Sequence, residues 1–120
     1  MTRIAHSTQG PIAQWSNTEV ELDSLLRRAG NSLSVLYFSS PRCGPCRYMT
    51  PYFEELCAEH CDVQFLKVDV TDSEDDFVAK FNVTGLPAFY YFRNGEEVDC
   101  FAGGNKDYLL QSLTRNKLRG

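Results

Sequence analysis

Two cysteines three positions apart, Cys43 and Cys46, stand where an apolar run gives way to a helical pattern, in Ser39-Ser40-Pro41-Arg42-Cys43-Gly44-Pro45-Cys46-Arg47. Thiols with this spacing at the first turn of a helix can approach closely enough to close a small-ring disulfide. The positive end of the helix also favours a thiolate there. The chemistry within reach is redox exchange.

Other groups compete for those thiols. A zinc site would have to be completed by Cys57, His60 and Cys61, but ten residues separate Cys46 from Cys57, which falls short of zinc-ribbon spacing. Those ten residues also read as one helix, which would spread the ligands along a rod, so no metal is expected. Cys57 and Cys61 stand at helical i,i+4 spacing. Their Cβ atoms would lie about 5–6 Å apart, beyond the roughly 3.5–4.5 Å a disulfide accepts, so a packed thiol at 57 and a semi-exposed one at 61 are expected. Cys100 reads as core or surface filler. His60 reads as the end of a helix, and Ser39 and Ser40 as helix caps without a base to activate them.

The elements that must hold the dithiol follow from pattern. Residues 1–10 read as a flexible arm and 11–120 as one domain, beginning with a short strand around Ile12 to Trp15. Thr18-Glu19-Val20-Glu21 has capping-box spacing and starts a helix through Leu22, Leu25, Leu26 and Ala29 to Gly30. Leu33 to Ser39 is almost continuously apolar, the mark of a strand covered on both faces. Met49, Phe53, Leu56 and His60 recur on one face of a helix reaching Glu59 or Cys61, with Pro51 inside it predicting a kink. Val63 to Val70 is a strand, and Ser73-Glu74-Asp75-Asp76 caps a short helix to about Phe81. Pro87 to Phe92 and Glu96 to Phe101 flank the hairpin signal Arg93-Asn94-Gly95. After Gly103-Gly104, a last helix carries Tyr108, Leu109, Leu110 and Leu113. The order β-α-β-α-β-α-β-β-α predicts an α/β fold with a central mixed sheet and helices on both faces.

Composition narrows the class. With 120 residues, 42% hydrophobic and 23% charged, the chain suits one compact domain with a real core. Twelve basic residues against sixteen acidic ones give a net charge of -4, which disfavours nucleic acid and anionic membranes as partners. Five cysteines are an odd number for a disulfide framework, and the first ten residues carry no apolar leader segment. A cytoplasmic address is expected.

Together these residues make the chain resemble the thioredoxin family. The resemblance rests on Cys43-Gly44-Pro45-Cys46 after an apolar strand, Pro51, Lys67-Val68-Asp69-Val70, Gly85-Leu86-Pro87, Phe92-Arg93-Asn94-Gly95 and Gly103 before the last helix. It implies a thioredoxin fold, thiol–disulfide exchange without a bound cofactor, and a cis Leu86–Pro87 peptide beside the thiols. Disulfide-containing client proteins and an NADPH-dependent thioredoxin reductase are the implied partners, and a monomer the expected state.

Within that frame Cys43, beside Arg42 and near Arg47, is the expected nucleophile. Cys46, deeper in the helix, resolves the mixed disulfide by attacking Cys43. Gly44 lets a client approach, Pro45 stiffens the first turn, and Arg42, Leu86, Pro87 and Gly103 line the client groove. The Gly-Pro pair resembles the family's reductants, with an adaptor of poor turnover and an oxidase or isomerase as the alternatives.

Three positions depart from the family pattern. Arg42 and Ser39 stand where tryptophans are usual, and Tyr37 stands where an acid is usually buried. The exchange of that acid leaves Lys67, which would face it, expected to lack a partner and resolution by Cys46 expected to be altered. Arg42 adds a charge suited to acidic clients.

Overall fold

A computed structural model describes residues 14–15, 19–70, 81, 83 and 85–118. Five strands and three helices are found among them: β1 (Gln14–Trp15), α1 (Glu19–Ala29), β2 (Ser34–Ser39), α2 (Cys46–Glu59), β3 (Gln64–Asp69), β4 (Ala88–Arg93), β5 (Glu96–Ala102) and α3 (Lys106–Leu118). The expected arm over 1–10, the Thr18 cap and the short helix begun at Ser73 lie outside the described residues.

The strands form one sheet in the order β1-β3-β2-β4-β5. β3 runs parallel to both β1 and β2, while β4 and β5 close it antiparallel. The sheet is therefore mixed, as the element order predicts. Central β2 is buried at all six positions, which is why its sequence is apolar without alternation. Its side chains nevertheless divide between two cores. Val35 and Tyr37 join Met49, Phe53 and Leu56 of α2 and Leu109 and Leu113 of α3 on one face. Leu36 and Phe38 meet Leu22, Leu25 and Leu26 of α1 on the other.

Local chemistry sets the element ends. α1 stops at Gly30, whose φ of +56° is open to glycine at low cost, and the Gly30 amide donates to the Leu26 and Arg27 carbonyls. Asn94 and Gly95 both adopt positive φ, 55° and 77°, as a tight hairpin between twisted strands requires. α2 is unbroken through Pro51, so the residues after the dithiol make one helix rather than two.

His60 ends α2 as expected: it is the C-cap residue, with φ -121° and ψ 70°, and so stands just beyond the helical face that carries Met49, Phe53 and Leu56. The last helix needs correction. On α3 the buried stripe is Leu109, Ser112, Leu113 and Asn116, while Tyr108 and Leu110 remain 38% and 39% exposed. The i, i+3, i+4, i+7 face of this helix is partly polar, so counting apolar residues misplaced it. Its polar members are paired: Ser112 Oγ lies 2.6 Å from the Tyr91 hydroxyl, and Asn116 Nδ2 donates to Asp99 Oδ2 at 2.8 Å. Burial raises the Tyr91 phenol above its ordinary range, which keeps it a neutral hydrogen-bonding group.

Phe53 is fully buried between Tyr37, at 4.9 Å between ring centroids, and Phe65, at 5.1 Å. Phe53→Ala is expected to lower unfolding free energy by about 3–5 kcal/mol. Urea titration should show an earlier midpoint at unchanged slope.

Candidate active site

The dithiol is closed in this structure. Cys43 and Cys46 are joined as a disulfide with their Cα atoms 5.3 Å apart. Helix α2 begins later than the sequence suggests. Cys46 is its first residue, Pro45 is the N-cap with φ -61° and ψ -23°, and no side chain caps the end. Cys43 thus precedes the helix, in a turn closed by its amide donating to the Ser40 carbonyl at 3.1 Å. Ser40 serves that turn and not the helix, its Oγ accepting from the Arg42 amide at 3.2 Å, while Ser39 ends β2. What a side-chain cap would do falls to sulfur: the Cys46 amide, one of the helix's unpaired donors, points to Cys43 Sγ at 3.2 Å. Cys43 is half-buried and Cys46 only 5% exposed, so Cys43 is the more accessible residue of the pair.

A groove wall adjoins the turn. The Leu86–Pro87 peptide is cis, and the Pro87 carbonyl accepts from the Gly103 amide at 2.8 Å. The next residue, Gly104, presents its carbonyl to the Tyr48 hydroxyl, which donates at 2.9 Å. A Cβ added to Gly104 would strike that hydroxyl and lie 2.9 Å from Pro45 Cβ. Pro87, Gly103, Gly104, Tyr48 and Pro45 are in this way linked at the dithiol end. Leu86 is half-buried, packed against the core on the α1 face. Gly44, Pro45 and Arg42 are exposed, and space around Gly44 is open. Arg42 stands on the turn, its amide donating to Ser40 Oγ.

Beneath the thiols, Tyr37 is fully buried, stacked on Phe89 at 4.8 Å, and its hydroxyl pairs with Thr50 Oγ1 at 2.8 Å. Burial raises its phenol above the ordinary value, against the opposing Thr50 hydrogen bond. The tyrosine therefore fills the site as a neutral group. Lys67 does not lack a partner, contrary to expectation. Its Nζ lies 2.6 Å from Glu54 Oε1 of α2, a charge contact without directed hydrogen-bond geometry. An acid on the facing helix has taken up the lysine.

A cavity of about 410 Å³ opens beside the disulfide, lined by Ser39, Cys43, Cys46, Arg47, Thr50 and Asp69 among others. Sequence reasoning missed Tyr48, Thr50, Glu54, Asp69 and Gly104. A signal for two of them was present, since Cys46, Thr50 and Glu54 follow each other at i, i+4 and i+8 and so share one face of α2.

The other thiols lie apart from the disulfide. Cys57 is buried, and Cys61 and Cys100 are exposed, all three free. Among the described residues no group of His, Cys, Asp or Glu could hold a metal ion. His60 instead places Nδ1 3.0 Å from Lys117 Nζ, which also reaches Asp62 Oδ1 at 3.1 Å. Burial, reinforced by the Glu54 charge, pushes the Cys57 thiol up to about 11. Cys100 is raised by partial burial and then by Glu97. Alkylation of the oxidised protein near pH 8 should therefore label Cys61 first, Cys100 more slowly and Cys57 only on unfolding. Peptide mass spectrometry over a time course reads the order.

Comparison with known proteins agrees with this geometry. Residues 14–115 match the protein family described as Thioredoxin. The TPR repeat-containing thioredoxin TDX of Arabidopsis thaliana is 38% identical over 105 residues, covering 88% of this chain but 27% of that protein. The chain thus spans under a third of that relative. Mus musculus thioredoxin is 40% identical over 89 residues, covering 74% of this chain and 84% of its own. The X-ray structure of Fasciola hepatica thioredoxin superposes with a TM-score of 0.81 at 37% identity, over 84% of this chain and 96% of that one. With its closed Cys43-Gly44-Pro45-Cys46 pair at the head of α2, the chain belongs to the thioredoxin family.

Proposed function

We propose that this protein reduces disulfides of client proteins in the cytoplasm, as a monomer without a bound cofactor, and is returned to the dithiol by an NADPH-dependent reductase. The observation that carries the reading is the asymmetry of the pair: a half-buried Cys43 whose sulfur accepts from the Cys46 amide at 3.2 Å, and a Cys46 that is almost wholly buried. That amide donates to Cys43 sulfur and so favours its thiolate over its thiol. Cys43 attacks a client disulfide, and a mixed disulfide forms as the first client sulfur leaves. Cys46 then attacks Cys43, the second client sulfur leaves as a thiol, and the Cys43–Cys46 bond closes. Three further free cysteines in one short chain support a reducing compartment.

Arg42 narrows the client set. It is exposed on the turn before Cys43, as is Arg47 just after Cys46, so the dithiol is flanked by positive charge on a chain of net charge -4. Acidic segments next to a client disulfide are favoured there, and broad apolar contact is reduced.

In a reductase-coupled assay the protein should turn over insulin well above free dithiothreitol, whereas no turnover would indicate an adaptor. Cys46→Ser should retain clients covalently on Cys43 in lysate, and an empty trap would count against general reduction. Arg42→Trp is expected to raise insulin reduction about fivefold, equivalent to ~1 kcal/mol, and an unchanged rate would remove the restricted-client reading.

A further inference from the structure

Resolution requires Cys46 to lose a proton, and the usual acid beneath it is replaced by Tyr37. The replacement cannot serve as a base, because its buried phenol is neutral and hydrogen-bonded to Thr50. Glu54 is drawn 2.6 Å from Lys67 and does not line the cavity beside the thiols. One carboxylate among the described residues does line that cavity, together with Cys43 and Cys46: Asp69, at the end of β3.

Register explains its position. Tyr37 is level with Lys67, and Ser39 with Asp69, across the parallel β2–β3 pair. Lys67 faces α2, as its contact with Glu54 requires. Asp69, two residues on, projects from the same face one side-chain layer nearer the thiols, about 6–7 Å along the strand. From the geometry we propose that Asp69 is the proton acceptor for Cys46, the acid for this step having moved from the strand below the disulfide to the neighbouring strand beside it.

The proposal rests on the reductase reading and completes its second step. The Cys46 thiol passes its proton to the Asp69 carboxylate, directly or across one water, for which a cavity of about 410 Å³ has ample room. The electron pair left on Cys46 sulfur forms the bond to Cys43 sulfur. The Cys43–client bond breaks, its electron pair leaves on client sulfur, and that sulfur is protonated by Asp69 or solvent. Two electrons pass from the dithiol to the client, and no other reductant is needed in this step. Among the described residues, the other charged or titratable groups about the site are Arg42 on the turn, Arg47 on the cavity wall, Tyr37 on β2, Tyr48 at the groove wall and the Lys67–Glu54 pair between β3 and α2. None of these is a carboxylate lining the cavity.

The test follows both steps in one trace. Reduced protein mixed with an aromatic nitrobenzoate disulfide releases one coloured thiolate as Cys43 attacks and a second as Cys46 resolves. The first release tests the reductase reading, and its absence would sink that reading alone. The second tests Asp69. In the wild type its rate should rise through the carboxylate range and then flatten toward neutrality. In Asp69→Asn it should be at least about tenfold slower at pH 6 and climb about tenfold per pH unit, as resolution then depends on free thiolate. Asp69→Glu should restore the flat profile. A second release whose pH dependence is the same in Asp69→Asn as in the wild type, or one slowed equally at every pH, would overturn the proposal.

Discussion

The site depends on the pairing of β2 with β3 on one side and β4 on the other. This pairing fixes which residues stand level with one another, and the helices packed on the two faces bury every side chain of β2. Tyr37 is held between Lys67 and Phe89 in that register, with its ring stacked on Phe89 and tilted against Phe53 of α2. The strand therefore aligns two things at once, the helix that carries Cys46 and the layer of polar groups under it. A one-residue slip in β2 would turn Tyr37 toward α1 and put Leu36 or Phe38 under the thiols.

Much of this was legible in the residues. The continuous apolar run of β2, the Gly30 stop, the Asn94-Gly95 turn and the dithiol each carry their own local cause, and each appears where the chain predicts it within a residue or two. The errors have physical sources. α2 begins at Cys46 because Pro45 can sit at the N-cap while the preceding turn is closed by Ser40, and neither fact shows in apolar spacing. The buried face of α3 includes Ser112 and Asn116 because Tyr91 and Asp99 on the sheet supply partners. Partners so distant in sequence leave no local trace.

The same limit explains Lys67. From the strand alone, exchange of an acid for Tyr37 strands the lysine, since its expected partner was the neighbour in the sheet. The fold offers it a second neighbour, Glu54, two helical turns beyond Cys46 on the facing helix. Removing a buried charge's partner is costly, commonly ~3–5 kcal/mol, and this site keeps a charge opposite Lys67 while leaving a neutral tyrosine below the disulfide. The charge pairing of Lys67 was preserved while the acid itself changed place.

The contact between Gly104 and Pro45 has a consequence for recognition. Backbone meets the active-site turn there, with the Tyr48 hydroxyl bonded across it and no room for a Cβ. The separation of the two walls is thereby set by main chain and one tether, and side-chain exchange along the groove cannot widen it. On the proposed function, clients are then sorted at the mouth, by the exposed charged side chains of Arg42 and Arg47, rather than by the fit of a residue within the clamp.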